Sequence, residues 1–438
     1  MSSKAFLLEE CENVRDLLEK TLRHEYGLDS SHHFFDECST RLRFLTNEIA
    51  SADPANTALL QSHGAFLSDL AELICRIERS SLGEYSWPFV HELKKIASAI
   101  CRENTLTDPD AAPHVYVFAE GGLSAYAIYP ELRRPSAAKQ RLLTIVFPKS
   151  LKNFVLLHPI LGHELGHAIW QCSKHQKTLV NDVLRHLRRT GSNLEHPAAT
   201  AAHLFAANAP AAFKAALAKH PSLTQASMFT HANWGAWIEE ILCDLIGLVT
   251  FGPSFLAAHA RLLFSVDPTG MSFSSRHPPV AWRFNMIRTC ASILGYDVQP
   301  PATSPIRAMS DSFWAYMGTF KQADAWYDFL DLALLTDAIN GVQALLGAHA
   351  PSAYVPPAFD ILETLAGKLT NLVPPVGNGI GVDDLPINQI VDFRHIIFAG
   401  WLATKDPTQI PFKQVNQLCE HAIMQQHAID MTLNKVVL

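Results

Sequence analysis

The stretch from Leu156 to Trp170, LLHPILGHELGHAIW, constrains the fold of this chain more than any other. It contains His163 and His167, four residues apart, with Glu164 directly after the first histidine. Residues four apart on a helix share one face, about 6 Å apart along the axis, so both imidazoles could reach one metal ion. Imidazoles suit zinc with an open coordination position, where a nearby carboxylate can act as general base on a bound water. The alternative is a buried core helix.

The residues around this H-E-x-x-H motif favour a helix with a special role. Pro159 suits a first helical turn better than a helix interior. Gly162 and Gly166 are poor helix formers, costing about 1 kcal/mol each relative to alanine, so they indicate close approach to another element. An apolar stripe accompanies them, formed by Leu156, Leu157, Ile160, Leu161, Leu165 and Ile169.

A second motif, WIEEILCDLIG, spans Trp237–Gly247. If Glu240 is the third zinc ligand, Asp244 lies one turn further on the same helix face, where it would accept the N–H of a ligating histidine. Two acids on an otherwise apolar helix are costly unless they are paired or bound to a metal. Glu239 is the competing ligand, but the residue four positions later is Cys243, not an acid. The other interpretation places both acids at a solvated helix edge.

Composition narrows the classes of function. The chain has 438 residues, of which 48% are apolar and 18% charged, enough for a large core in one elaborated domain or two to three smaller ones. Its formal charge of −7 argues against nucleic acid as a partner. Eight cysteines occur without a C-x-x-C pair, which is typical of reduced thiols and indicates a cytoplasmic protein.

The N-terminal residues and the apolar runs predict no membrane association. The first twenty residues, MSSKAFLLEECENVRDLLEK, become acidic early and lack the apolar segment of a signal peptide. The most apolar stretch, Ile241 to Ala260, is interrupted by Asp244 and Pro253. We therefore expect a soluble chain with neither a membrane nor a nucleic-acid partner.

Three regions follow from hydrophobic periodicity: a helical N-terminal region 1–106, a central core 107–295 that carries a helical insertion 171–231, and a helical C-terminal region 296–438. The core holds three β-like runs, 114–119, 123–129 and 141–147. The sequence thus predicts an α+β fold, predominantly α, with a small β-sheet beside the H-E-x-x-H helix.

The first two β-like runs are separated by Glu120, Gly121 and Gly122, a hairpin-like spacing. An extended peptide could add itself as a further strand along an exposed edge of this sheet. The alternative is a sheet that only packs on the helix.

HELGH followed by EEILCD and a glycine resembles the gluzincin zinc metallopeptidases, the thermolysin-like class with two histidines and a glutamate on zinc. SRHPPVAWR at Ser275–Arg283 is similar to the H-P-x-x-x-x-R element of the HtpX-like and CaaX-prenyl-protease branch. LSAYA at Leu123–Ala127 resembles the N-A-F substrate-binding edge strand of that branch, with Ser124 in place of Asn. The resemblance covers about residues 114–290 and implies a gluzincin-like core in which Ser124, Ala125 and Tyr126 bind the substrate main chain.

His277 and Arg283 have a plausible role in such a cleft. Attack on an amide develops negative charge on the carbonyl oxygen, and a cationic or hydrogen-bonding side chain stabilises it. His277 is the main candidate, although an R-H-P-P sequence is also typical of a simple chain reversal. Arg283 could instead tie this loop to an acid. His158 falls off the ligand face and is expected in the core or at the rim.

The sequence therefore predicts a zinc-dependent endopeptidase acting on an intracellular protein or peptide. One Zn²⁺ ion would be held by His163, His167 and Glu240, with Glu164 activating the zinc-bound water and Asp244 orienting a histidine. Two alternatives remain open. One is a catalytically silent or latent protein of this fold that acts as a binding scaffold with a structural metal, and the other is hydrolysis of a non-peptide amide.

Overall fold

The structure of the chain is a computed structural model. It describes residues 3–23, 30–78, 89–90, 92–93, 96–97, 114–120, 127–130, 142–172, 234–270, 272, 274–320, 332–347, 353–376, 391–405 and 410–436. The chain forms two compact units, Met1–Asn153 and Phe154–Leu438. The predicted region boundaries after residues 106 and 295 do not coincide with this division and stay predictions.

Three helices and a small sheet make up the described part of the first unit. The helices are α1 (Ser3–Thr21), α2 (Ser30–Ser51) and α3 (Thr57–Glu78). Apolar residues three and four positions apart give each helix a buried stripe, and Leu18, Leu42 and Leu70 are among those that meet in a shared core. The predicted helical character of this region is confirmed over these helices.

The sheet has three strands; the first and third lie within one residue of the predicted runs, and the second overlaps its predicted run only at residues 127–129. They are β1 (His114–Glu120), β2 (Ala127–Pro130) and β3 (Leu142–Pro148), in the order β1-β3-β2. The predicted hairpin between the first two strands is wrong, because β3 pairs with both, parallel to β1 and antiparallel to β2. The central strand has the most continuous apolar sequence, and its Ile145, Val146 and Phe147 are buried, as a central strand requires.

Every secondary-structure element described in the second unit is a helix or a 3₁₀ turn. A 3₁₀ turn (His158–Ile160) leads into α4 (Leu161–Cys172), the H-E-x-x-H helix. The later helices are α5 (Trp234–Phe251), α6 (Pro253–Val266), α7 (Val280–Ile293), α8 (Arg307–Thr319), α9 (Leu332–Gly347), α10 (Phe359–Thr370), α11 (Phe393–Ala403) and α12 (Phe412–Val436). The chain is thus predominantly α-helical over its described residues, as the sequence predicts.

Helices α4 and α5 pack unusually closely because glycines line their contact. A Cβ atom built on Gly166 would lie 2.5 Å from the Cα atom of Cys243, and one on Gly162 would lie 2.8 Å from the Cα atom of Gly247. Real Cβ atoms do not approach backbone so closely, so larger residues would force the helices apart. The expectation that these glycines mark a close approach is confirmed.

The C-terminal helices hold both site helices in place. The backbone of Leu156, just before α4, accepts a hydrogen bond from Trp401 Nε1 at 2.9 Å and donates one to Asn416 Oδ1 at 3.1 Å. At the far end of α5, Arg394 donates from Nη1 to the carbonyl of Thr250 at 2.8 Å and pairs with Asp392. A guanidinium at the C-terminal end of a helix satisfies an open carbonyl and suits the helix dipole.

No helix in the described residues combines the length and apolarity needed to cross a membrane. Cys11, Cys38, Cys75, Cys243, Cys290 and Cys419 are free thiols.

Replacing Gly166 by alanine is expected to lower the free energy of unfolding by about 1–3 kcal/mol, since the added methyl group has no room against the backbone of α5. The matched control is Gly367→Ala on α10, where an added Cβ meets nothing within 4 Å. That change should raise the free energy of unfolding by about 0.5–1 kcal/mol through helix propensity alone. Urea unfolding measures both, and equal stability of the two variants would contradict the close approach.

Candidate metal centre

The two histidines of the motif lie one turn apart on α4 and face α5. Their ring centroids are 4.9 Å apart and the rings are nearly perpendicular. His163 is buried and His167 is partly buried. The close packing of α4 on α5 places both rings against the acidic first half of α5, as the two motifs predict.

Glu240 lies between the two imidazoles. Its Oε2 atom is 3.3 Å from Nε2 of His163, and its Oε1 atom is 3.4 Å from Nε2 of His167. Zinc bonds of about 2.1 Å in a tetrahedral site place two ligand atoms about 3.4 Å apart. Each of the two contacts is close to this spacing, and each involves a different oxygen of Glu240.

A carboxylate contacts the Nδ1 atom of each imidazole. His163 Nδ1 lies 2.8 Å from Asp244 Oδ1, and His167 Nδ1 lies 2.9 Å from Glu239 Oε1. A carboxylate on Nδ1 fixes the ring orientation and leaves Nε2 available as a ligand, which is the usual arrangement around metal-bound histidines. The structure brings Asp244 to its predicted place.

The sequence offers Glu239 only as a competing ligand, whereas in the structure it contacts the Nδ1 atom of His167. Neighbouring residues on a helix point about 100° apart, so Glu239 and Glu240 cannot both face the same point. The pair of adjacent glutamates in the sequence indicates this role. When Glu240 lies between the two rings, Glu239 reaches the Nδ1 atom of His167. The motif thus provides one orienting acid for each histidine.

Arg283, on α7, is buried against the acids of α5. It donates from Nε to Asp244 Oδ2 at 2.7 Å and from Nη2 to Asp244 Oδ1 at 2.8 Å, and its Nη1 lies 3.2 Å from Glu240 Oε2. This paired geometry fixes the Asp244 carboxylate in its plane. The alternative in which Arg283 ties its loop to an acid agrees with these contacts.

His277 lies at the solvent-facing rim of the group. Its side chain is 55% exposed, and its Nε2 atom is 3.4 Å from Glu240 Oε1. Its Nδ1 atom lies 3.5 Å from the hydroxyl of Ser274. Burial lowers the pKa of His277, and the charge of Arg283 adds to that effect. A neutral, partly exposed imidazole therefore stands beside the predicted ligands.

The other predicted residues lie as follows. Glu164 follows His163 on α4 and is half-buried. His158 is fully buried in the turn before α4, one of the two places expected for it. The predicted substrate strand of Ser124, Ala125 and Tyr126 falls outside the described residues.

The electrostatics of the group favour a cation. Burial raises the pKa of Glu240, but the interactions with His163, His167 and Arg283 outweigh it and hold that pKa well below its usual range. Burial also lowers the pKa of His163, yet contact with Asp244 and Glu240 raises it to about 9. The group contains three carboxylates, those of Glu239, Glu240 and Asp244, and one guanidinium, that of Arg283. It therefore attracts further positive charge. Protons on the imidazoles can supply this charge, and a metal ion that binds there would displace them.

One buried oxygen of the group supports this interpretation. Glu240 Oε2 is buried, and its contacts with His163 and Arg283 lack hydrogen-bond geometry, so within the described chain it makes no hydrogen bond. The Arg283 guanidinium offsets part of the charge of this oxygen, and a metal ion would supply the bond that it lacks.

Cys243 offers a second possible ligand set. Ligand atoms of His163, His167 and Cys243 all lie within 4.8 Å of one another. Burial raises the pKa of the Cys243 thiol to about 12, whereas Glu240 is already ionised. Each oxygen of Glu240 meets the Nε2 atom of a different histidine, whereas Cys243 and Glu239 both lie close to the imidazole of His167.

Comparison of the chain with protein families, with curated proteins and with solved structures finds no match. The candidate site is therefore defined by its own residues.

A direct consequence is that His163→Ala should weaken zinc binding by at least about 100-fold, because loss of an orienting partner alone costs about 10–100-fold. Mass-spectrometric metal analysis after dialysis against a zinc buffer measures this. The exposed His421 on α12 provides the control, and His421→Ala should keep the wild-type metal content. Wild-type zinc in the His163→Ala protein would rule out this ligand set.

Proposed function

We propose that this protein is a zinc-dependent endopeptidase. The observation that carries the proposal is the position of Glu240, whose carboxylate oxygens lie 3.3 and 3.4 Å from the Nε2 atoms of the two motif histidines. A glutamate directly follows the first of those histidines. Two imidazoles, one carboxylate and an adjacent second carboxylate form the residue set of a metal-assisted hydrolase.

In this proposal His163, His167 and Glu240 would hold the ion, with Asp244 and Glu239 orienting the two imidazoles. A bound zinc ion would lower the pKa of a water molecule and polarise the substrate carbonyl. Glu164 accepts a proton from the attacking water as the new carbon–oxygen bond forms. As the carbon–nitrogen bond breaks, Glu164 passes that proton to the leaving amine.

His277 is the candidate for stabilising the carbonyl oxygen. It is the exposed member of the group, and its ring nitrogen can donate a hydrogen bond to an oxygen that gains negative charge. Arg283 is buried and occupied by Asp244 and Glu240, which supports a positioning role over direct contact with substrate.

The substrate proposed is an extended peptide of an intracellular protein. This part rests on the predicted strand at Ser124, Ala125 and Tyr126, which would pair with the peptide main chain. Such pairing accepts varied side chains, so we expect a preference for unfolded or extended segments rather than for a single residue.

Glu164→Gln should keep zinc bound while lowering peptide hydrolysis by about 100- to 10,000-fold, the usual contribution of a general base. Mass spectrometry of new protein N-termini in a cell lysate, with wild type against the variant, measures this and separates true cleavage from contaminating proteases. Glu363→Gln, a half-buried glutamate on α10, should cleave like wild type. Equal cleavage by the Glu164→Gln protein would remove the general-base assignment.

The second candidate is a scaffold protein with a structural metal, and the place of Cys243 favours it. A structural zinc site has all four positions filled by protein ligands, and Cys243 lies within 4.8 Å of both histidine ligand atoms. Such a site would leave no position for water.

Cys243→Ala separates the two candidates. In a peptidase with Glu240 as third ligand, the variant should keep its zinc and at least about half of its cleavage, since no catalytic contact is lost. In a closed structural site, the variant should lose zinc by at least about 100-fold in affinity. Zinc analysis and the lysate assay on the same protein preparation read out both properties.

A further inference from the structure

Two cations and two aromatic rings form a cluster on the second unit. Lys405, just after the end of α11, places its Nζ atom 3.3 Å from the centre of the Tyr316 ring on α8. Arg261, on α6, places its guanidinium carbon 3.7 Å from the centre of the Phe412 ring at the start of α12. The proposed metal ligands do not belong to this cluster.

The charge of Arg261 acts on both Lys405 and Tyr316. Burial lowers the pKa of Lys405, and the positive charge of Arg261 lowers it further. Burial also lowers the pKa of Arg261, because its charged end lies on the Phe412 ring although solvent reaches the rest of the side chain. Burial raises the pKa of Tyr316, and Arg261 opposes only part of that rise, so the phenol keeps its proton at neutral pH. Two like charges and one neutral donor therefore share a partly desolvated place.

No carboxylate balances these charges within the residues that the structure describes. There, neither Arg261 nor Lys405 forms an ion pair or a side-chain hydrogen bond, and the Tyr316 hydroxyl, which solvent reaches, makes no hydrogen bond. A ring face attracts a cation but offers no acceptor in the plane of its N–H groups. The N–H edge of a guanidinium stays free when its face stacks on a ring. The cluster therefore presents donors and two positive charges that lack an acceptor.

We propose that Arg261, Lys405 and Tyr316 bind a phosphate group. A phosphate monoester carries about −1.5 to −2 charge at neutral pH and presents three acceptor oxygens, which match two cations and three donor side chains. A carboxylate carries a single charge and two oxygens, so it would leave one cation without a partner. A bound dianion would also offset the repulsion between Arg261 and Lys405.

Isothermal titration calorimetry of the full chain at fixed ionic strength tests the site, with inorganic phosphate, phenyl phosphate and acetate as probes. Both phosphate probes should bind, and acetate should bind at least about tenfold more weakly because it carries less charge. If neither phosphate probe binds at concentrations up to about 20 mM, the proposal is overturned. The measurement requires no assay of peptide cleavage.

Three variants connect phosphate binding to this cluster. Arg261→Gln and Lys405→Gln should each weaken both phosphate probes by at least about tenfold, the effect of losing a charged hydrogen bond. Tyr316→Phe keeps the ring beneath Lys405 and should weaken them by about three- to tenfold, the effect of a neutral hydrogen bond. The matched control is Lys20→Gln, an exposed lysine on α1, which should bind phosphate like wild type. Binding that is unchanged in Arg261→Gln and Lys405→Gln would place the anion elsewhere and overturn the proposal.

Thermal unfolding guards against misfolded variants and against a general salt effect. A ligand that binds only the folded chain raises its unfolding temperature, so phosphate should raise that of wild type above its value in chloride at the same ionic strength. The Lys405→Gln protein should show a smaller rise. Phosphate also stabilises folded proteins without a site, and an equal rise in the two proteins would identify that effect alone and overturn the proposal.

Vesicle sedimentation then separates the two sources of a phosphate group, a soluble molecule and a lipid headgroup. Phosphatidylcholine vesicles that contain phosphatidic acid present a phosphate monoester at a membrane surface. Sedimentation of wild type with these vesicles, lost in Lys405→Gln, would support the site with a lipid as its ligand. Binding of phenyl phosphate without sedimentation would support the site with a soluble phosphate. Sedimentation that Lys405→Gln leaves unchanged, together with no binding of the soluble probes, would overturn the proposal.

Discussion

The close contact between α4 and α5 is the constraint on which the candidate site depends. Gly162 and Gly166 let the two backbones approach until a side chain would collide with Gly247 or Cys243. Only at this separation do the imidazoles of α4 reach Glu240, which lies between them, and the carboxylates of Asp244 and Glu239, which contact their Nδ1 atoms. The helix propensity lost at two glycines, about 1 kcal/mol each, is the cost of this geometry.

The charges of the site form one connected group. Arg283 neutralises part of the charge of Asp244 and Glu240, and these acids with Glu239 orient or contact the histidines. His259, on α6, lies beside this group, with its Nε2 atom 3.8 Å from Asp244 Oδ1. Burial lowers the pKa of His259 to about 3, so it adds no charge near neutral pH. The group retains a surplus of negative charge that protons or a divalent cation must balance.

Much of this site could be predicted from sequence because helical spacing alone determines it. Positions four apart give the pair His163 and His167 and the pair Glu240 and Asp244, and glycines in a helix predict a close neighbour. The antiparallel pairing of β2 with β3, in place of a hairpin with β1, could not be predicted, since strand partners depend on which strand is most buried. The contact between Arg394, on α11, and the end of α5 could not be predicted either. The partner of Arg394, the carbonyl of Thr250, is 144 residues away along the chain.

The most direct measurement is X-ray absorption at the zinc edge on the zinc-loaded protein. We expect a shell made only of nitrogen and oxygen neighbours at about 2.0–2.2 Å, from two imidazoles, the Glu240 carboxylate and a solvent oxygen. A sulfur neighbour at about 2.3 Å would identify Cys243 as a ligand. That result, or a chain that takes up no zinc, would show that Glu240 and the two histidines do not together form a zinc site.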